Sequence, residues 1–228
     1  PAAVKALTGL GILPTRPVQH QTRRFGVLPH EFKFYSPSPR FLVELHSSLS
    51  SACYEGVPVE TVFARRQSFS LEGTAYPVMS PEDTLLFACL HGFGHRWEHL
   101  TLTYSVDRVL RCTAPKGLDW DYITHRMQAS RKQRAVLLAL ALSRRCFESP
   151  LPDSILRRGE ADRSLPRLQA EVFDRMGKPR SQVPSRSILH FKWRVLESPA
   201  DRLGLLGRTC ARCADALSRH RQADRPRR

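Results

Sequence analysis

Hydrophobic and polar positions along the chain follow two regimes, and the change falls at Ser80. Before it, apolar residues are scattered or alternate with polar ones. Val4–Leu10 reads as the end of a helix closed by Gly11, and Leu13–Val27 is irregular, broken by Pro14 and Pro17. Glu31–Tyr35 alternates polar and apolar, Ser36-Pro37-Ser38-Pro39 is a turn cluster, and Phe41–His46 is a mostly apolar strand, so a strand pair is predicted there. Val57–Phe69 reads as loops and short helices, and Thr74–Val78 as one more extended piece.

From Ser80 onward apolar residues recur at helical spacing. Ser80-Pro81-Glu82-Asp83 is a helix start, with Ser as N-cap, Pro in the first turn and acids against the helix dipole. The helix runs through Leu85, Leu86, Cys89, Leu90 and His91. Further helices are predicted over Leu100–Cys112, Trp120–Arg131 (capped by Asp119) and Arg131–Phe147, the last stopped by Pro150-Leu151-Pro152. Gly159–Ser187 reads as a polar connection around a short helix at Leu165–Met176. Ile188–Leu196 is apolar and aromatic, and Arg202–Leu217 reads as a final helix. The pattern therefore predicts an α+β chain: a small α/β piece over 1–78, an α-helical domain over 79–217 and a basic, disordered tail over 218–228.

The 228 residues suit one domain or two small ones, and 41% hydrophobic with 25% charged residues is ordinary globular usage, which excludes a disordered chain. The longest apolar run, Ala135–Leu142, falls far short of the roughly 20 residues of a bilayer span, so no membrane partner is expected. Pro1–Leu13 lacks the features of a secretion signal, and six irregularly spaced cysteines then read as reduced thiols of a cytoplasmic protein. The opening residue, Pro1 where Met would stand, is expected if a tag was removed or if the sequence begins inside a longer protein.

The chain carries 36 Lys and Arg against 21 Asp and Glu, a net charge of +15, and 30 of the cations are Arg. The surplus gathers late, with ten cations against five acids in 157–199 and eight against three in 200–228. Arg suits phosphate contacts, and a tail such as Arg219–Arg228 attracts polyanions, so nucleic acid is a possible partner. A coding bias toward Arg gives the same composition, and the tail has no interleaved aromatics on which bases would stack.

Four groups of residues could carry chemistry. Glu44 stands inside the apolar strand Phe41–Leu45, where an acid costs free energy unless it is paired, exposed on an open face or bound to a metal. His46 beside it suits acid–base chemistry or an interior hydrogen bond. His91, His95 and His99 share one face if their helix is unbroken. The His91/His95 pair could then ligate a metal, although Gly92 and Gly94 weaken the helix and no zincin acid is present. Cys210-Ala211-Arg212-Cys213 is a lone Cys-x-x-Cys with no second pair. There is no Gly-rich phosphate loop and no nucleophile elbow.

Several segments together resemble one family. Arg40-Phe41-Leu42-Val43-Glu44-Leu45-His46 resembles the strand "V-[DE]-L-H-W" of bacterial nucleotidyltransferases of the DNA polymerase beta type. Ser80-Pro81-Glu82-Asp83 through His91-Gly92-Phe93-Gly94-His95-Arg96-Trp97-Glu98-His99-Leu100 resembles that family's "S-P-E-D…H-x-x-K-H-x-W-x-x-L" helix. Leu118-Asp119-Trp120-Asp121, Leu137–Leu142 and Pro150-Leu151-Pro152 match later landmarks in order, and Arg194–Leu203 looks like an arginine-rich helix near the end. The likeness spans roughly 1–205. It implies a palm of a few antiparallel strands plus helix, here truncated, followed by a helical domain. It also implies Mg2+-dependent transfer of a nucleotide monophosphate from a nucleoside triphosphate to an acceptor that is not identified.

In that superfamily two acids stand as Asp-x-Asp after a Gly-rich turn, and a third comes from a later strand. Glu44 matches the third, which implies a magnesium ligand or general base. No Asp-x-Asp after a Gly-rich turn is present, since Asp119-Trp120-Asp121 falls on a different landmark, so the catalytic strand pair is expected to be missing. Gly94 stands where the family tends to have Lys, Thr101 and Leu102 where it tends to have Lys and Trp, and Ser105 near an expected Asp. Two readings follow: part of an enzyme, inactive by itself, or a non-catalytic module that binds a protein or nucleic acid on the same scaffold.

Overall fold

The computed structural model describes residues 2–15, 31–46, 59–113, 117–178, 182, 184–207, 209, 210 and 214. Helix α1 (Ala2–Gly9) ends at Gly11, whose φ of +75° suits glycine, and leads into a two-residue strand β1 (Leu13–Pro14). β2 (Glu31–Pro37) and β3 (Arg40–His46) form the expected antiparallel pair about the Ser-Pro turn, with β1 on the far edge of β2. Side chains alternate between the faces of this sheet. Phe34 is fully buried on one, while Lys33, Tyr35, Leu42 and Glu44 share the other.

After α2 (Val59–Ala64) the chain forms a hairpin of β4 (Gln67–Leu71) and β5 (Thr74–Val78), where the sequence reading had a single extended piece. The turn residues Glu72 and Gly73 both have positive φ, 49° and 78°, as a tight two-residue hairpin requires. Every residue of both strands is exposed, so the hairpin adds no residue to the core.

The rest is helical: α3 (Pro81–Gly94), α4 (Leu100–Thr113), α5 (Trp120–Ala129), α6 (Gln133–Phe147), α7 (Asp153–Ala161), α8 (Leu165–Arg175), α9 (Ser185–Val195) and a final helical stretch at 199–207. The chain is thus α+β, with two small antiparallel sheets and a predominantly helical remainder. Helix α6 is the axis of the core. Its residues Ala135–Leu140 are buried in unbroken succession, so this stretch is apolar all round, and α3, α4, α5, α7 and α8 pack about the helix.

Three boundaries differ from the sequence reading. The two helices expected to meet at Arg131 each stop short of it: α5 ends at Ala129, α6 starts at Gln133, and Arg131 between them has φ 53°. Helix α7 (Asp153–Ala161) follows directly on the Pro150-Leu151-Pro152 stop and runs into the start of the Gly159–Ser187 connection, where the sequence reading has no helix. Arg194–Leu203 is not one helix: α9 ends at Val195, Leu196 is extended, and the helix resumes only at 199, where Pro199 can start a helix but not continue one. Cys213 and the 218–228 tail lie outside the described residues. No described helix is long and apolar enough to cross a membrane.

Candidate active site

The register of β2 and β3 sets Lys33 directly opposite Glu44. The Lys33 ammonium donates to Glu44 Oε1 at 2.6 Å, and His46 Nε2 lies 3.6 Å from Oε2. The hydrogen bond from Lys33 holds the Glu44 carboxyl below the usual range; burial opposes this, and the charges of Lys33 and His46 reinforce it. Glu44 is therefore an ionised, ion-paired strand carboxylate. Its partner is Lys33, which the sequence reading did not single out. The signal was available: the turn pairs Pro37 with Arg40, and counting outward from it brings 33 opposite 44.

A row of rings connects this pair to the helical core. The His46 ring meets Phe87 of α3 edge-on at 5.8 Å, Phe87 stacks on His91 at 5.5 Å, and the His91 and His95 rings are 4.6 Å apart. His91 follows Phe87 by four residues, so both lie on one face of α3. The expected shared face of His91, His95 and His99 is corrected. Helix α3 stops at Gly94, His95 is its C-cap, and His99 precedes α4, so the three are not on one helix. The helix stops because Arg96 and Trp97 both turn left-handed, at φ 60° and 50°.

That turn explains Gly92. Trp97, fully buried, packs its indole so close that a Cβ at position 92 would lie 2.4 Å from Nε1, and the Trp97 amide donates to the Gly92 carbonyl at 2.9 Å. Gly92 is needed for this approach, whereas Gly94 faces open space.

The Ser80–Asp83 start is a polar node. Ser80 accepts from the Asp83 amide at 3.1 Å and its hydroxyl donates to Asp83 Oδ2 at 2.9 Å; the Tyr122 hydroxyl of α5 donates to Asp83 Oδ1 at 2.8 Å. Arg65 donates to Glu82 at 3.0 Å and stacks 3.7 Å over the Tyr122 ring. Asp119, the cap of α5, donates its amide to Glu82. Burial and Asp83 together push the Tyr122 phenol up to about 12. Burial works to raise Glu82, but hydrogen bonds from its own and the Asp119 amides, Ser80 and Arg65 leave it lowered. Glu82, Asp83 and Tyr122 are spent on joining α2, α3 and α5, and Asp119 acts as a cap.

At the other end of α3, Arg175 of α8 lies buried over the Phe191 ring at 4.0 Å, its guanidinium lowered to about 10 by burial and by the nearby charge of Arg96. Arg194 joins Glu171 in an ion pair beside it, and Lys192 donates to the Gly94 carbonyl at 3.2 Å.

Magnesium takes six or so oxygens in near-octahedral order. Among the described residues no group of three or more His, Cys, Asp or Glu gathers around one point, and the two oxygens of Glu44 face Lys33 and His46. These residues alone do not fit a two-magnesium centre. Cys210 is exposed and unpaired with another cysteine, and Cys213 lies outside the described residues.

The strand acid, the Ser80–Asp83 helix and its His-Gly-Phe-Gly-His-Arg-Trp end stand in one continuous arrangement, and it is this part of the chain that has relatives. Residues 1–148 match the family of uncharacterised nucleotidyltransferases, and the chain belongs to that family. The match closes with α6, at its C-cap Glu148. No curated protein and no solved structure matches the chain.

Proposed function

We propose that this chain serves a nucleotidyl transfer reaction as part of a larger catalytic unit. Glu44 is the third acid, and the Asp-x-Asp pair and its magnesium ions come with residues beyond 1–228. The observation that carries the reading is Glu44 itself: a strand carboxylate, ionised, held by Lys33, in a chain whose described residues bring no further acid to it. Lys33 then neutralises Glu44 until substrate or metal displaces it. On this reading residues 1–228 alone do not move a nucleotide, and the substrates are a nucleoside triphosphate and an acceptor hydroxyl.

The test begins with the coding DNA upstream of the Pro1 codon. An in-frame Gly-rich turn and Asp-x-Asp are expected there, and the longer product should transfer radiolabel from α-labelled nucleoside triphosphates with Mg2+. Glu44→Ala should then lower the rate at least a hundredfold. Transfer by residues 1–228 alone overturns the division of labour. An unrelated upstream sequence overturns the transfer reading and leaves a binding module, which the Lys33–Glu44 ion pair would then serve as a purely structural contact.

A further inference from the structure

We infer that the groove between α6, α7 and α8 binds a small amphiphilic acid: an apolar body with one anionic head. The groove encloses about 430 Å3, within the size range of small-molecule sites. Its walls are Leu137, Leu140, Leu151, Ile155, Leu156 and Leu165. A nucleotide would leave its base edges against these leucines, with Gln169 the amide side chain on the described lining. An alkyl or aromatic body loses no hydrogen bonds there.

The head is chosen by charge. Arg144 and Arg145, adjacent on the last turn of α6, both line the groove, and among the described residues neither has an acid partner. Arg145 is drawn over the Phe173 ring at 4.6 Å. Arg144, exposed, also lines a second cavity of about 380 Å3 that shares Leu151 with the first, so this residue stands where the two meet. Glu160, on α7, is the acid of the first groove and Glu148 that of the second. Two cations against one acid in the first favour a carboxylate or similar anion, held by the planar guanidinium fork of Arg144. The site shares no residue with the Glu44 row and stands or falls independently of it.

The probes are decanoate, decan-1-ol and decylamine, titrated calorimetrically into residues 1–228 below their aggregation concentrations. Decanoate should bind saturably and at least tenfold more tightly than the other two. Arg144→Ala should remove that preference while leaving decanol binding in place. Gly159→Leu should abolish binding of all three with helical circular dichroism unchanged. A Cβ at 159 meets only Leu165 Cδ1, at 3.9 Å, so a larger side chain there enters the groove without a backbone clash, and leucine suits a helix better than glycine. The inference fails if decanoate does not saturate, if decanol or decylamine matches it, or if the preference survives Arg144→Ala. It also fails if binding survives Gly159→Leu, or if sedimentation shows a dimer that excludes decanoate, since a second copy would then be the occupant.

Discussion

Gly92 and Gly94 are two residues apart on α3 and meet opposite constraints. Gly92→Ala drives a methyl into the Trp97 indole and should destabilise by about 1–3 kcal/mol. Gly94→Ala, in open space, should be neutral or stabilise by under about 1 kcal/mol. Denaturant midpoints at constant slope separate the two. Titration gives a second pair of outcomes. The folded carboxyls of Glu44, Glu82 and Asp162 all lie below their ordinary values, so each favours the fold above that value and ceases to do so as pH falls through the folded one. Stability should therefore decline as pH falls below about 4.5, the ordinary glutamate value, and Glu44→Gln should make the decline shallower. Tyr122 has the opposite sign. Its phenol is raised to about 12, so its contribution is whole below pH 10 and lost on the way to 12. Tyr122→Phe should cost about 1–3 kcal/mol at neutral pH, because buried Asp83 loses a donor, and should remove the alkaline loss. Glu44 was legible as the acid of interest because an acid inside an apolar strand stands out. The Gly92 requirement was not, because a close approach by a ring five residues away leaves no mark on hydrophobic periodicity.

Elements were legible in proportion to the apolar surface they bury. The β2–β3 pair is marked by its Ser-Pro turn, α3 by its Ser80 cap, α4 by its apolar stripe and α6 by its long apolar run, and each lies close to where the sequence puts it. Helix α7 was hidden behind the Pro150-Leu151-Pro152 stop and by its Gly159, and the β4–β5 hairpin, whose residues are all exposed, carried too little contrast. The hairpin was recoverable from its turn, since Glu72-Gly73 between two short alternating runs is a hairpin signature of backbone geometry and not of burial. At this scale the node on α3 is the joint to test. Arg65 ties α2 to Glu82 and Asp83 of α3 and to the Tyr122 ring of α5. About a third of its side chain is exposed, which weakens each ion pair through solvent screening. Arg65→Met should cost about 1–2 kcal/mol, with hydrogen exchange rising first in α2.

For the whole molecule, the part that matches the family and the part that completes the core are different lengths. The match covers 1–148, yet Ile155, Leu165, Leu168, Val172, Phe191, Val195, Leu196 and Leu205 belong to the same buried cluster. Ion pairs fasten the later chain to the start of α6: Lys132 to Asp201, and Arg134 to Asp162, with the Arg134 amide on Glu197. A chain cut after residue 148 should lack cooperative unfolding in circular dichroism and calorimetry, because it exposes the α8 side of α6. A folded, cooperative 1–148 fragment would contradict this account of the core. The all-round burial of α6 also sets a schedule for synthesis. The face of α6 that α7, α8 and the later chain cover leaves the ribosome well before them, and the interval from Phe147 to Leu205, at bacterial or eukaryotic elongation rates, is roughly 3 to 12 s. For that time the nascent chain presents one uncovered apolar helix face, which makes it a natural client for a chaperone that shelters such surfaces until translation is finished.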